Sequence, residues 1–480
     1  MQADAAHAGA LSLDDWIAAQ ETRAARQLFD AMSATHLTKR RPGFGQTVTP
    51  APGSVLASPD DASWDPEPDY FFHWLRDAAL AMEAARLLRD SPLWGPLASW
   101  ELEQYVDFSR RISALTGAAR LREGPPERNV MPAFRQYLRP VEELAALRGD
   151  AVRGDVRFSP DGALDITRWS RPQYDGVALR ALGLLRCADR RDAPEWAELA
   201  AGDLDCIARN ASRPCVDIWE EEAGFHLHAL LTQHAALRAG VAWAAGGPRD
   251  GQARVWAMAA DDLWERLGAF RREEEGWIVS RLDAPGCPPV SREKQLDSSV
   301  ILAVLHAGLP DGPFSPADPL AHGALARLEA HYAGAFAWNR RRAPDQAPLL
   351  GRNPADVYFG GGGWPLLVLA AAELRYRLAQ ALAAGALAEP PAPALWFGDA
   401  PAADARTAAR LLFDAGDTGL VTVRALTPPD GVMGEQADRD TGAPRSARRL
   451  TWSCAAFLTA VHARRGAAAA LAAVSPATVR

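Results

Sequence analysis

The chain has 480 residues, is 48% apolar and carries a formal charge of −8, enough apolar material for a large core and no basic block to track a phosphate backbone, so nucleic acid is excluded as the expected partner. The longest apolar run, Trp364 to Ala372, falls far short of the ~20 residues of a membrane span. Five scattered cysteines without a C-x-x-C pair argue against a zinc site and a disulfide framework, and an acid-bearing start (Asp4, Asp14, Asp15, Glu21) without a basic and apolar leader makes a cytoplasmic address the expectation.

In chain order, Ser12 with Asp15 three residues on, then apolar residues at helical spacing, predicts an amphipathic helix over 12–31. The same test predicts further helices near 76–90, 98–117, 173–187, 193–210, 220–240, 250–268, 295–308, 316–335, 364–384, 401–415 and 446–464. Even-numbered members are the more apolar, as in VILAVL (Val300 to Leu305) and CAAFLTAV (Cys454 to Val461), and helices apolar nearly all round must be buried on both sides. Their partners are striped. An inner ring covered by an outer ring of helical hairpins is therefore the expected all-α architecture, as a single domain over 1–465, with 466–480 an Ala-rich tail that could fray. Long Pro- and Gly-rich loops near 40–69, 119–170, 270–294, 336–363 and 425–445 precede the apolar helices, and ordered loops of that length usually carry function.

Several segments hold residues suited to chemistry. In VDIWEEEAG, Asp217 and Glu220 fit a helix N-cap and its capping box. Three adjacent acids, Glu220 to Glu222, cannot all face solvent on a helix, because neighbours differ by about 100°. One beside Trp219 can therefore sit in a pocket as a general acid. Glu435, between flexible neighbours in GVMGEQADRD, is either an ordinary loop acid or a second catalytic carboxylate. YFFHWLRDAAL places Tyr70, Trp74, Arg76 and Asp77 at a helix start, where adjacent Arg and Asp can bracket two sugar hydroxyls. RWSRPQYDG brings Trp169 and Arg171 ahead of Pro172 at an expected helix first turn. The glycine run Gly360 to Gly363 lacks the Lys-Ser/Thr of a phosphate cradle. His226, His228 and His234 do not share a helix face, so no metal or cofactor is expected. Sixteen tryptophans against seven tyrosines supply indole faces for stacking on sugar rings as well as for the core.

Taken together and in order, these segments resemble glycoside hydrolase family 15, the glucoamylases, from about Leu13 to His462. YFFHWLRDAAL is similar to that family's Y-F-Y-x-W-x-R-D motif, RWSRPQYDGVALRA to W-x-R-P-Q-x-D-G-x-A-L-R-A, and VDIWEEEAG to D-L-W-E-E. KQLDSSVIL, GRNPADVYFGGGGW and GEQADRDTGAPRSARRLTW follow in family order. The resemblance implies an (α/α)6 barrel and an exo-acting α-glucoside hydrolase that inverts configuration, with α-glucan oligosaccharides as substrate. Glu220 would be the acid and Glu435 the base, with roughly 6.5–9.5 Å between carboxyls to admit a water. Arg76 and Asp77 would hold the terminal glucose, with Trp74 and Trp219 in the same binding set. Tyr70 would help place the water and Trp169 would stack in the pocket. Glu221, Arg352 and Trp452 would line the aglycone side, with Arg171 and Asp175 in support. The chain departs from the family at Gly362 to Pro365, where Asn-Pro-Trp is usual, and at Arg449, where Asp is usual. A trehalase, another α-glucosidase or a non-catalytic sugar-sensing relative are the alternatives.

Overall fold

The computed structural model describes residues 11–60, 68–392, 395 and 404–473. Twelve helices of nine residues or more stand among the described residues: α1 (Leu13–Asp30), α2 (Leu75–Leu87), α3 (Gly95–Ser113), α4 (Asp175–Arg186), α5 (Pro194–Asn210), α6 (Leu227–Ala244), α7 (Asp250–Leu267), α8 (Ser299–Ala307), α9 (Pro319–Ala335), α10 (Pro365–Ala383), α11 (Ala405–Leu426) and α12 (Thr451–Ala473). Each matches one of the twelve segments that periodicity marks out. Ser12 caps α1 as expected: its hydroxyl donates to the Asp15 carboxylate at 2.7 Å and accepts the Asp15 N–H at 3.1 Å. The last helix continues through Ala473, into the segment expected to fray. Residues 474–480 lie outside the described residues, as do 401–403 at the start of the segment predicted over 401–415.

Two compact units make up the chain: Gln27–Gly268 with Leu282–Val290, and the remainder. In the first, α2, α4 and α6 pack side by side as an inner row, and α3, α5 and α7 cover them. Burial follows the sequence pattern. Helix α6 buries 13 of its 18 residues, whereas α7 buries only Ala253, Trp256, Ala260, Leu263 and Leu267, at the three- and four-residue steps of a single stripe. In the second unit α10 packs on α8, α11 and α12, and α8 on α9. Helix α8 buries every residue but His306, and Trp16 of α1 meets Phe457 of α12 edge-on at 5.7 Å.

Strands are two to four residues long and lie in the loops that enter the inner helices. The pair β1 (His73–Trp74) and β2 (Arg157–Phe158) sets Trp74 directly opposite Arg157. The pair β3 (Cys215–Val216) and β4 (Ala223–His226) forms a hairpin before α6. The pair β5 (Gln436–Ala437) and β6 (Pro444–Arg445) forms another before α12. No disulfide joins any of the five cysteines, and among the described residues no helix is long and apolar enough to cross a membrane.

Candidate active site

Glu220 sits in the tip of the β3–β4 hairpin rather than in a helix. Asp217 was expected to cap a helix there; instead its carboxylate accepts the Glu221 N–H at 2.9 Å inside the turn, and α6 starts only at Leu227. The reason is conformational. Glu220 has a φ of +67°, a left-handed backbone that ends any helix and aims its side chain apart from those of its neighbours. Ser170 fixes the turn by donating its hydroxyl to the Glu220 carbonyl at 2.6 Å. Of the three consecutive acids, Glu220 is half-buried while Glu221 is exposed.

Four donors converge on the Glu220 carboxylate. The Trp74 indole N–H donates to Oε1 at 2.9 Å, Gln173 Nε2 at 3.2 Å and Arg76 Nη2 at 3.3 Å, while the Trp169 indole N–H donates to Oε2 at 2.5 Å. These donors come from two segments, the start of α2 (Trp74, Arg76) and the loop before α4 (Trp169, Gln173). Arg76 in turn donates to Gln173 Oε1 at 2.9 Å and to Asp175 Oδ2 at 3.2 Å, and its Nε lies 3.6 Å from Asp77.

Burial has opposite outcomes for the two aspartates beside Arg76. For Asp77 burial dominates and pushes its carboxyl up to about 6, although Arg76 pulls the other way. At Asp175 burial is outweighed by the Arg76 guanidinium and by His228, whose Nδ1 is 3.4 Å from Oδ2, and the carboxyl is held well below its ordinary range. Arg171 is tied elsewhere, to Asp155 Oδ1 at 2.5 Å and Asp165 Oδ2 at 2.9 Å, and is bonded to Pro172 through a cis peptide. Pro172 precedes α4 instead of opening its first turn, and Asp175 is the first helical residue. Tyr70 packs edge-on to Trp74 at 5.4 Å, and Trp74 edge-on to Trp169 at 5.7 Å. Trp219 is buried next to Glu220. One unit thus gathers Tyr70, Trp74, Arg76, Asp77, Trp169, Arg171, Asp175 and Trp219 in the frame that holds Glu220.

The other unit holds Glu435, Arg352 and Trp452. Glu435 is buried immediately before β5, accepts a hydrogen bond from the Ser446 hydroxyl, and donates its own N–H to the Ala447 carbonyl at 2.8 Å. Arg352 makes a two-pronged pair with Asp356 at 2.5 and 2.9 Å and stacks near Tyr358 and Trp364. Trp452 is buried in the first turn of α12, with its ring 6.1 Å from His306.

The departure at Gly362 to Pro365 has a packing cause. Gly363 exchanges backbone hydrogen bonds with Ala437 at 2.9 and 2.7 Å, and a Cβ there would lie 2.2 Å from the Leu349 side chain. A Cβ on Gly362 would come within 2.6 Å of the Ala437 carbonyl. Both glycines let this segment run against β5, next to Glu435.

Sequence reasoning missed Gln173, Ser446, Asp165 and Arg157. Gln173 stands between Arg171 and Asp175 in the RPQYD motif, and that position was its available signal. Ser446 lies in the GAPRSARRL stretch, where only the short strand pairing brings it to Glu435.

The sequence model of glycosyl hydrolases family 15 matches residues 158–462. Glucoamylase 1 of Rhizopus oryzae is 27% identical over 448 residues, covering 88% of this chain and 68% of that protein. The intracellular sporulation-specific glucoamylase of Saccharomyces cerevisiae is 24% identical, covering 95% and 84%. Among solved structures, the family 15 glucoamylase of Hypocrea jecorina superposes with a TM-score of 0.76 at 22% identity, over 98% of this chain and 76% of that one. The Saccharomycopsis fibuligera glucoamylase gives 0.74 at 22%, over 95% and 96%. These likenesses establish the fold as the (α/α)6 type, and since the family model covers more than half of its length, the chain belongs to glycosyl hydrolases family 15 and is a glycoside hydrolase.

Proposed function

We propose that the protein releases β-D-glucose from the non-reducing ends of short α-glucans, with Glu220 protonating the glycosidic oxygen and Glu435 taking a proton from the attacking water. The single observation that carries this reading is the convergence of the Trp74, Gln173, Arg76 and Trp169 donors on Glu220. As the acid gives up its proton, negative charge grows on both of its oxygens, and donors already in place stabilise that charge more in the transition state than before it. Arg76 offers donors and Asp77 acceptors for the hydroxyls of the terminal glucose. Tyr70 helps place the water and Trp169 stacks on the sugar, with Trp74 and Trp219 in the same binding set.

Glu435 receives the base role from its place in the family motif, and the Ser446 hydroxyl holds its carboxylate in one orientation. Glu221, exposed on the Glu220 turn, Arg352 and Trp452 are assigned to the aglycone. A neutral oligosaccharide suits a chain of net negative charge, and maltodextrin is the substrate proposed. Five cysteines without a disulfide fit a reducing, cytoplasmic location.

Purified protein offered maltose, isomaltose, trehalose and maltodextrin is expected to release glucose fastest from the α-1,4-linked substrates. Glu220→Gln and Glu435→Gln are each expected to lower kcat by about a thousandfold or more with an unchanged circular dichroism spectrum. Near-full turnover in either variant removes that residue from the mechanism, and preference for trehalose moves the protein to a different specificity.

A further inference from the structure

Beside Glu220 lies an arginine that neither the motifs nor the proposed mechanism uses. Arg157 is buried, with its side chain 2% exposed, and its guanidinium carbon is 3.6 Å from the ring centre of Trp169, 4.7 Å from Trp74 and 4.2 Å from Phe72. Trp169 and Trp74 are the two indoles whose N–H groups hold the two different oxygens of Glu220. The cation is itself immobilised. Its backbone is paired opposite Trp74, its Nε donates to Asp165 Oδ2 at 2.8 Å, and its Nη2 donates to Thr167 Oγ1 at 2.9 Å. Asp165 takes a second guanidinium from Arg171 and accepts both the backbone N–H and the hydroxyl of Thr167, so every group around Arg157 is anchored.

We propose that Arg157 is a positioning residue for acid catalysis, clamping the faces of Trp74 and Trp169 so that both indole N–H bonds stay aimed at Glu220 and are polarised toward it. The inference rests on the reading of Glu220 as the acid. A buried cation over an indole face is attracted to the ring's electron density, which fixes the plane of the ring and draws charge away from its N–H. The N–H then becomes the stronger donor. In a site where water does not compete, such a donor acts on the transition state at nearly full strength. Arg157 touches no substrate in this scheme; it works through the two indoles.

The test separates acid catalysis from mere packing by changing the leaving group. Maltose needs its leaving oxygen protonated, whereas 2,4-dinitrophenyl α-glucoside expels a phenolate that does not. Arg157→Met, which keeps bulk and loses charge, is expected to lower kcat on maltose by about tenfold, to leave kcat on the aryl glucoside within about twofold of wild type, and to move the alkaline limb of the maltose profile to higher pH. KM for maltose should change little. Arg157→Lys keeps a charge against Asp165, but its compact ammonium cannot fill the place of a guanidinium set against three rings. It is expected to retain the wild-type alkaline limb and to lose only a few-fold on maltose, again without loss on the aryl glucoside. Should Arg157→Met fail to fold, the lysine variant alone decides by the same comparison of leaving groups.

Equal losses on both substrates, or no loss on either, would overturn the positioning role. Glu220→Gln run alongside distinguishes the two possible failures: if it keeps turnover on maltose, the acid assignment itself is wrong, whereas if it is inactive on maltose and Arg157 variants fall equally on both substrates, only the role of Arg157 is wrong.

Discussion

Glu220 holds a left-handed φ of +67°, a conformation that costs a non-glycine residue roughly 1–3 kcal/mol and persists only where the surroundings over-determine it. The surroundings here are the Ser170 hydroxyl on its carbonyl and four donors on its carboxylate. Trp169 supplies the shortest of these bonds, and Trp169→Phe removes that donor while leaving a ring against Arg157. Its kcat on maltose is expected to fall by about a hundredfold with a much smaller change in KM, measured by steady-state kinetics. A change confined to KM would mean that Trp169 serves only as a stacking surface. At this scale the sequence singled out the candidate reactive groups. The W-E-E triplet and the adjacent Arg-Asp were visible as unusual clusters, but the positive φ that separates Glu220 from Glu221 has no sequence signature, because Glu is not a residue that favours it. Arg157 was hidden for a different reason: it lies in a Pro- and Gly-rich stretch without periodicity, and only its pairing with Trp74 brings it to the indoles.

Helices were legible because their hydrophobic periods are long and repeated. Strands of two residues contain no period at all, and the β3–β4 hairpin was therefore read as the first turn of α6. Asp217 compounded the error, since an Asp that accepts an N–H in a tight turn and an Asp that caps a helix present the same residue in the same local company. The glycines before α10 were equally opaque. Their use emerges only in the approach of Gly363 to Leu349 and Ala437. Gly363→Ala places a methyl 2.2 Å from the Leu349 Cγ, and the segment has to shift from β5 to relieve it. A loss of about 1–3 kcal/mol is expected in urea unfolding, together with a lower kcat through the neighbouring Glu435. An unchanged unfolding midpoint would show that the segment yields without cost.

At the scale of the whole molecule, buried titratable groups set how stability varies with pH. His73 is buried, and its Nδ1 accepts the Val55 N–H at 3.0 Å, which requires the neutral ring. Burial, with Arg180 nearby, lowers its pKa to about 3, and burial lowers that of His322 to about 4. Unfolded histidines take up protons below about 6.5, so folding stability is lost as pH falls from there toward 3. Glu101 acts in the opposite direction. Burial raises it to about 7 despite a 2.7 Å hydrogen bond from Ser33, so the folded chain keeps a proton that the unfolded chain releases from about 4.5 upward. Its ionisation therefore removes stability as pH rises from about 4.5 to about 7. Glu101→Gln is expected to melt close to wild type at pH 5 and above it at pH 8, read by differential scanning calorimetry. A melting difference of the same size at both pH values would contradict the buried, protonated state.

Chemistry at this scale reduces to a single stereochemical outcome. Proton-resolved NMR of the first minutes of maltose hydrolysis by the wild-type protein, before mutarotation mixes the anomers, reads the configuration of the glucose released. Growth of the β-anomer signal ahead of the α signal is the result expected for an acid and a base acting from opposite faces of the sugar. Growth of the α signal ahead of the β signal, beyond the α share that the reducing-end half of maltose already carries, would mean a covalent intermediate and would contradict the assignment of Glu220 and Glu435 as an inverting pair.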